Sequence, residues 1–170
     1  IKTGSENMFF VSKFSYPFNK LYLAVDDTIK PLLTKATGKN IKAIVNYKNL
    51  KDKVVYVKTG ISFVSIKGAL NNLNKELPWW NFQNTRINAK KEWEYQLNKI
   101  KIVDANEKQK TVFYTALYYF FLSPDFYIDV DRNYIGTDFK QHSTSRFNYY
   151  RFPDFSNSLT AKYSLYSIID

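Results

Sequence analysis

Apolar and polar positions alternate through the first third of the chain, which is the period of a β-strand with one covered face. The alternation runs through the segments MFFVSK, KAIVNYK and KVVYVKTGISFVS, which are rich in β-branched and aromatic residues. Turn-forming residues separate these segments at Pro17, Asp26–Asp27 and Gly38–Asn40. The pattern predicts part of an antiparallel sheet or sandwich, with a bulge or kink at Gly60.

From residue 65 the apolar spacing becomes that of a helix. The apolar positions that share one face are Ile66, Ala69, Leu70, Leu73 and Leu77. Ser65 is a suitable N-cap, and Pro78 ends the run. A second helix is predicted over residues 86–99, and the aromatic segment PWWNF between the helices is predicted to hold them together through buried rings. The segment KIKIV is then expected to return to β structure.

Residues 111–124 contain fourteen consecutive positions without a charge. A run of this length is typical of a buried core helix and is too short for a membrane span. Strands therefore precede helices along the chain, with the change at about residue 65. This order favours separate β and α regions over an alternating α/β sheet.

The net charge of +10 adds one functional question, since basic proteins often bind nucleic acid. Only 4 of the 25 basic residues are arginine, and the lysines are scattered, so we interpret the charge as a solvated basic surface. The absence of cysteine excludes disulfides and thiolate chemistry. Because the chain begins with Ile1 rather than methionine and ends on the apolar residues Ile168 and Ile169 before Asp170, we expect it to be a piece of a longer protein.

The segment DVDRNYIGTD, residues 129–138, has the densest spacing of acidic side chains. It begins like an EF-hand calcium loop, with Asp129, Asp131 and Asn133 at the first three ligand positions. Tyr134 replaces the required glycine, however, and Lys140 replaces the bidentate glutamate. We therefore predict a polar turn in which Gly136 has a positive φ angle.

Three further residue types are site candidates. His142 is the single histidine, which excludes a multi-histidine metal site and a serine–histidine triad within the chain. The adjacent Trp79 and Trp80 suggest a binding surface, since one of two neighbouring rings commonly faces outward. The nearby carboxylates are Asp125, Asp129, Asp131 and Asp138, and none is assigned as an acid or base because their separation is not visible in the sequence.

Five segments of the chain together form a recognisable pattern: FFVSKFSYPF, TGISFVSIKGALNNLNKELPWWNF, EWEYQLNKIKI, QKTVFYTALYYFFLSPDFYIDVDRNYIGTD and SLYSIID. In this order they resemble glycoside hydrolase family 92, the calcium-dependent exo-acting α-mannosidases. The resemblance implies an α+β multidomain fragment. Residues 1–64 would be the end of the N-terminal β-sandwich, residues 65–103 a helical linker, and residues 104–170 the first part of the (α/α)6 catalytic barrel.

The resemblance also implies a reaction, the inverting hydrolysis of terminal α-linked mannose from glycans. The family's acid, base and calcium ligands would lie beyond this chain, so no catalytic residue and no metal ligand is assigned within it. The expected partners are a mannose-containing glycan and the rest of the parent chain, without nucleic acid or membrane. The expected location is secreted or periplasmic.

The chain departs from the family where substrate contacts are expected. In the family's Phe-Ser-x-Trp-Asp-Thr motif, the Trp and Asp are replaced by Ser158 and Leu159 in one alignment. In the other alignment they are replaced by Ser156 and Asn157. The substrate-contact candidates are Asn157, Ser158 and His142. These departures leave an alternative function open, a non-catalytic carbohydrate-binding or interaction protein that has kept the family scaffold.

Overall fold

A computed structural model of the chain describes residues 7–30, 33–48, 50, 54–103, 106–151 and 161–169. The described chain is a mixed α/β structure whose paired strands are antiparallel where their register is given. It divides into two compact units, one formed by Ser12–Lys58 and the other by the residues on either side. The mixed content and the antiparallel sheets confirm the coarse fold class predicted from the sequence.

The smaller unit contains a three-stranded sheet. Its strands are β2 (Lys20–Val25), β3 (Thr28–Lys30) and β4 (Ile41–Asn46), in the order β3-β2-β4. The turn between β2 and β3 is Asp26–Asp27, and both residues have positive φ, 49° and 64°. Aspartate tolerates this conformation better than most residues, which explains the tight connection.

A second sheet pairs β1 (Phe9–Phe14) with β5 (Val57–Ser62), and both strands lie where the alternating pattern predicted strands. Gly60 lies inside β5, and its φ is not positive. A Cβ at this position would lie 2.3 Å from the Ala69 carbonyl oxygen and 2.6 Å from Leu73 Cβ. The glycine therefore allows a helix to approach the strand closely, and this replaces the predicted bulge or kink as the reason for its presence.

That helix is α1 (Ile66–Glu76), which confirms the prediction from apolar spacing. The Ser65 side chain accepts a hydrogen bond from the Gly68 backbone N–H at 2.9 Å, so the predicted N-cap is also confirmed. Ala69 and Leu73 are fully buried, whereas Ile66 at the start of the helix is exposed. The buried face of α1 is thus narrower than the apolar pattern suggested.

Helix α2 (Phe82–Leu97) begins earlier than predicted, because Asn81 serves as its N-cap through a 2.9 Å hydrogen bond from the Asn84 N–H to its side chain. The prediction of buried rings in the link before it is wrong. Trp79 is 80% exposed and Trp80 is 43% exposed. The early cap leaves these residues in the short link between α1 and α2.

Helix α3 (Glu107–Phe121) forms over the uncharged run and starts with a capping box between Asn106 and Gln109. Among its described residues only Leu117 is buried, so α3 is not the fully covered core helix that was predicted. No described helix is both long and apolar enough to cross a membrane. The predicted strand over KIKIV is absent, and this segment is part of the link between α2 and α3. Within the link, the Ile100 carbonyl accepts a 3.4 Å hydrogen bond from the Tyr114 hydroxyl.

After α3 the chain forms short antiparallel pairs. Strand β6 (Asp125–Phe126) pairs with β9 (Tyr150–Arg151), and β7 (Asn133–Ile135) pairs with β8 (Gln141–Ser143) as a hairpin. The final helix is α4 (Ala161–Ile169), and its Tyr166 ring lies 4.4 Å from the ring of Phe120 in α3. The acidic segment, residues 129–138, begins in the loop between β6 and β7 and continues through β7 into the turn before β8.

Candidate functional site

The larger unit contains a buried carboxylate, that of Asp129, which is only 6% exposed. One of its oxygens accepts a 2.6 Å hydrogen bond from the Ser62 hydroxyl. The other accepts a 2.8 Å hydrogen bond from the Asn72 amide. We refer to these three residues as the Ser62–Asn72–Asp129 network.

The network joins three parts of the chain that are distant in sequence. The Ser62 hydroxyl accepts from the Val64 N–H at 2.9 Å, which secures the turn from β5 into α1. Asn72 donates to the Ile61 carbonyl and accepts from the Val130 N–H, at 2.8 and 2.9 Å. Every polar group of this buried cluster therefore has a partner, as buried polar groups require.

The loop around Asp129 forms a turn, but its residue with positive φ is not the predicted one. The turn itself exists, since the Arg132 N–H donates to the Asp129 carbonyl at 2.8 Å. Its left-handed residue is Arg132, with φ 71°, and Gly136 does not have the predicted positive φ. The Arg132 guanidinium donates to the Thr144 carbonyl at 3.0 Å and to the Asn148 side chain at 2.9 Å. These contacts hold an arginine in a conformation that usually favours glycine.

Beside the network lies a cleft of about 230 Å³, lined by residues 59–64, Asn72, Glu76 and residues 126–129. Two lining side chains are carboxylates, Glu76 and Asp129, and none is basic. Partial desolvation of the Glu76 side chain in the cleft raises the pKa of its carboxyl group, although the residue is exposed, and the nearby Asp129 carboxylate raises it further. The cleft therefore favours groups that donate hydrogen bonds.

Glu76→Gln is expected to stabilise the protein at neutral pH and to do so much less at pH 4. A carboxyl group whose pKa is raised in the folded state contributes stability below its unfolded pKa, and that stability is lost as pH rises through the folded pKa. At pH 7 the wild type therefore bears an unfavourable charge that glutamine removes. Thermal unfolding midpoints at the two pH values, with the exposed Glu92→Gln as the control, test this. An equal effect of Glu76→Gln at both pH values would contradict it.

The predicted contact residue His142 lies in the β7–β8 hairpin and pairs with Asp138. Its Nε2 atom is 2.9 and 3.1 Å from the two carboxylate oxygens. The hydrogen bond to His142 lowers the pKa of Asp138, and the Lys140 N–H lowers it further. A Cβ on Gly136 would lie 2.7 Å from the Asp138 carboxylate, so this glycine leaves room for the pair. Contact of His142 with a sugar stays a prediction.

The remaining candidates are dispersed. Asn157 and Ser158 lie outside the described residues. Asp125 is exposed in β6, and Asp131 is exposed at the turn, where it accepts a long 3.3 Å hydrogen bond from the Asn133 N–H. The structure therefore brings only Asp129 of the four candidate aspartates into the buried network.

The residues around the cleft do not fit a calcium ion. Calcium takes about six to eight oxygen ligands. Both Asp129 oxygens already accept hydrogen bonds, and Glu76 is the only other carboxylate lining the cleft. Over the described ranges no group of three or more histidine, cysteine, aspartate or glutamate residues could hold a metal ion.

Sequence reasoning missed Ser62, Asn72 and Glu76 as site residues. The sequence contained one indication of this site: Asn72 and Glu76 are polar residues four positions apart on α1, next to its buried apolar face. A polar residue beside a core position often bonds a distant chain segment. The partner Asp129 is 57 residues from Asn72, however, so the spacing within α1 does not identify it.

A comparison with family models identifies the scaffold. The model of the glycosyl hydrolase family 92 catalytic domain matches residues 68–170, more than half of the chain. The chain belongs to glycosyl hydrolase family 92. The matched region of this family 92 chain contains Asn72, Asp129 and the β7–β8 hairpin, whereas Ser62 lies before it.

Solved structures resemble this family 92 chain over most of its length. The GH92 α-mannosidase BT3965 from Bacteroides thetaiotaomicron is 30% identical, with a TM-score of 0.72. The inverting mannosidase BT2199 from Bacteroides thetaiotaomicron VPI-5482 is 22% identical with a TM-score of 0.74, and the GH92 glycosyl hydrolase ccman5 is 23% identical with a TM-score of 0.76. The last two show the fold alone.

The match covers 84% of this chain and 19–20% of each of those proteins. The family 92 chain therefore spans about a fifth of the length of the solved structures. BT3965 has also been solved in complex with mannoimidazole. No curated protein matches the chain.

Proposed function

We propose that this family 92 chain is a segment of a longer glycoside hydrolase that removes terminal α-linked mannose from glycans. The observation that carries the proposal is the 30% identity to the α-mannosidase BT3965, with a TM-score of 0.72 over 84% of the chain. The family match over residues 68–170 supports the same reaction class. The Ser62–Asn72–Asp129 network contributes to the fold of this segment, because its buried polar groups bond one another.

The proposed architecture divides the segment into three parts. Residues 1–64 form the end of a β-sandwich, residues 65–103 a helical linker, and residues 104–170 the start of an (α/α)6 barrel. The five strands that precede α1, and the helices α1, α2 and α3 that follow, support this division. In it the Ser62–Asn72–Asp129 network joins the last sandwich strand, the first linker helix and the loop after the first barrel helix.

The proposed chemistry is inverting. One carboxylic acid protonates the leaving oxygen while a carboxylate activates water on the opposite face of the sugar, with the two groups about 6.5–9.5 Å apart. We place both groups, and the calcium site, in the part of the protein outside this segment. Asn157, Ser158 and His142 are proposed to contact the mannose, and the protein is proposed to be secreted or periplasmic.

The test is mannose release by the full-length protein from an α-linked mannobiose, followed by proton NMR. We expect β-mannose to appear before its equilibration with the α-anomer, and the activity to be lost on chelation and restored by calcium. First appearance of α-mannose would contradict inversion, and absence of any mannose release would contradict the proposed reaction. The 170-residue chain is the matched control and is expected to be inactive, because it lacks the acid and base.

A second candidate function is favoured by one observation, the exposure of Trp79 and Trp80. Exposed indole rings commonly stack on sugar rings, so a carbohydrate-binding protein on the same scaffold would show this feature. The chain also has serine, leucine or asparagine where the family motif has Trp-Asp. Binding of mannobiose by the full-length protein without hydrolysis would favour this function over the first.

A further inference from the structure

We propose that Asp138 is a positioning residue that fixes the tautomer of His142, so that the Nδ1 atom of the neutral ring accepts a hydrogen bond from a sugar hydroxyl. The identity of the sugar, and the contact of His142 with it, rest on the proposed function. The role of Asp138 follows from the geometry of the β7–β8 hairpin.

The carboxylate of Asp138 is bonded to one nitrogen of the His142 ring. Nε2 lies 2.9 and 3.1 Å from the two carboxylate oxygens. An ionised carboxylate only accepts hydrogen bonds, so Nε2 is the nitrogen that carries the proton. In a neutral imidazole one nitrogen donates and the other accepts. Nδ1 is therefore the acceptor of the pair.

The turn of the hairpin keeps this carboxylate ionised and in place. The hydrogen bond to His142 lowers the pKa of Asp138, and the Lys140 N–H, 3.1 Å from one carboxylate oxygen, lowers it further. The Gly136 N–H donates to the Lys140 carbonyl at 2.9 Å and closes the turn around Asp138. The acceptor of the Nε2 proton is thus present at neutral pH and held at a defined position.

The His142 ring is also held by packing. Tyr134 is its direct partner in the register of the hairpin, and the two ring centroids are 5.6 Å apart. Tyr134 is stacked in turn on Tyr149, with centroids 4.2 Å apart. A Cβ on Gly136 would lie 2.8 Å from the His142 ring, so glycine at this position leaves room for it. A ring with a fixed plane and a fixed tautomer loses little entropy when it binds a ligand.

Nδ1 is the part of this pair that remains for a ligand. The His142 side chain is 43% exposed, and across the described ranges no hydrogen bond involves Nδ1. An acceptor at this atom requires a donor on the ligand. Hydroxyl groups meet that requirement, whereas carbonyl and carboxylate oxygens do not. Asp138 therefore makes His142 selective for hydroxyl-bearing ligands such as mannose.

The experiment measures initial rates of mannobiose hydrolysis by the full-length protein. His142→Ala is expected to raise KM by about 3–10-fold, the loss of one neutral hydrogen bond, with kcat nearly unchanged. Asp138→Ala is expected to give most of the same rise, since the ring then populates both tautomers. The double variant should be no worse than His142→Ala, because Asp138 acts only through His142.

Two substitutions of His142 identify the nitrogen that meets the sugar. The amide of asparagine reaches the position of Nδ1, whereas the amide of glutamine reaches the position of Nε2. His142→Asn is therefore expected to retain a KM close to that of the wild type, and His142→Gln to resemble His142→Ala. The opposite order would overturn the inference, because it would place the sugar at Nε2.

Asp131→Ala is the matched control. Asp131 is an exposed carboxylate of the same acidic segment, and it accepts from the Asn133 N–H rather than from His142. Its removal is expected to leave KM unchanged. Equal rises in Asp131→Ala and Asp138→Ala would overturn the inference, as would additive rises in the double variant. Partial unfolding of a variant lowers the apparent kcat but leaves KM unchanged, so the comparison holds for variants of reduced stability.

The outcome separates this inference from the proposed function. Hydrolysis by the wild type, with the same KM in His142→Ala and Asp138→Ala, would leave the proposed reaction standing and overturn the role of Asp138. If the wild type releases no mannose, the proposed reaction is removed, and the affinities of the same variants for mannobiose, measured by calorimetry, decide the inference. The same order of affinities would support it, and equal affinities would overturn it.

Discussion

Asp129→Ala is expected to lower the free energy of unfolding by about 2–5 kcal/mol, because it leaves two buried donors without an acceptor. These donors are the Ser62 hydroxyl and the Asn72 amide, at 2.6 and 2.8 Å from the carboxylate. Each unsatisfied buried group costs about 1–3 kcal/mol. Urea unfolding followed by circular dichroism and tryptophan fluorescence would measure the loss.

Two variants sharpen this prediction. Asp131→Ala removes an exposed carboxylate two positions away and is expected to change stability by no more than about 0.5 kcal/mol. Asp129→Asn keeps the shape of the side chain but turns an NH₂ group toward one of the two donors, so an intermediate loss is expected. Similar losses in Asp129→Ala and Asp131→Ala would mean that the buried network does not support the fold.

Gly68→Ala is expected to destabilise the protein by about 1–3 kcal/mol, although alanine is normally preferred over glycine in a helix by up to about 1 kcal/mol. A Cβ on Gly68 would lie 2.2 Å from an Asp129 carboxylate oxygen and 2.7 Å from the Ser62 hydroxyl. The clash would push α1 away from the network. Lys67→Ala on the exposed side of the same helix is the control and is expected to be nearly neutral.

The decisive comparison is a double-mutant cycle. In the Asp129→Ala background the carboxylate that meets the new Cβ is absent, so Gly68→Ala should cost less there by about 1–2 kcal/mol. The Ser62 hydroxyl remains close, which is why the relief is expected to be partial. Strictly additive losses would show that Gly68 is required for a reason other than room for Asp129.

Local patterns predicted much of the first hundred residues. Strands β1, β4 and β5 follow from alternation, and α1 follows from its apolar spacing with Ser65 as the cap. These features depend on residues that are close in sequence, so the pattern contains the necessary information. The resemblance to family 92 was also visible in the sequence and is confirmed by the family match.

Two of the failed predictions concern the acidic loop and the link between α1 and α2. Gly136 was expected to adopt a positive φ, but the hydrogen bonds of Arg132 to Thr144 and Asn148 place that conformation at the arginine. The rings of Trp79 and Trp80 were expected to be buried, and the position of the Asn81 cap leaves them exposed. Propensity alone does not include these contacts.

The sequence by itself determined that strands β1, β4 and β5 precede helix α1, the capped start of α1 and the membership of family 92. Only the tertiary structure decided that Asp129, which looks like one of several acids in a polar turn, is a buried acceptor for Ser62 and Asn72. The physical reason is that a carboxylate enters a protein interior only where donors meet it, and these donors lie 67 and 57 residues away.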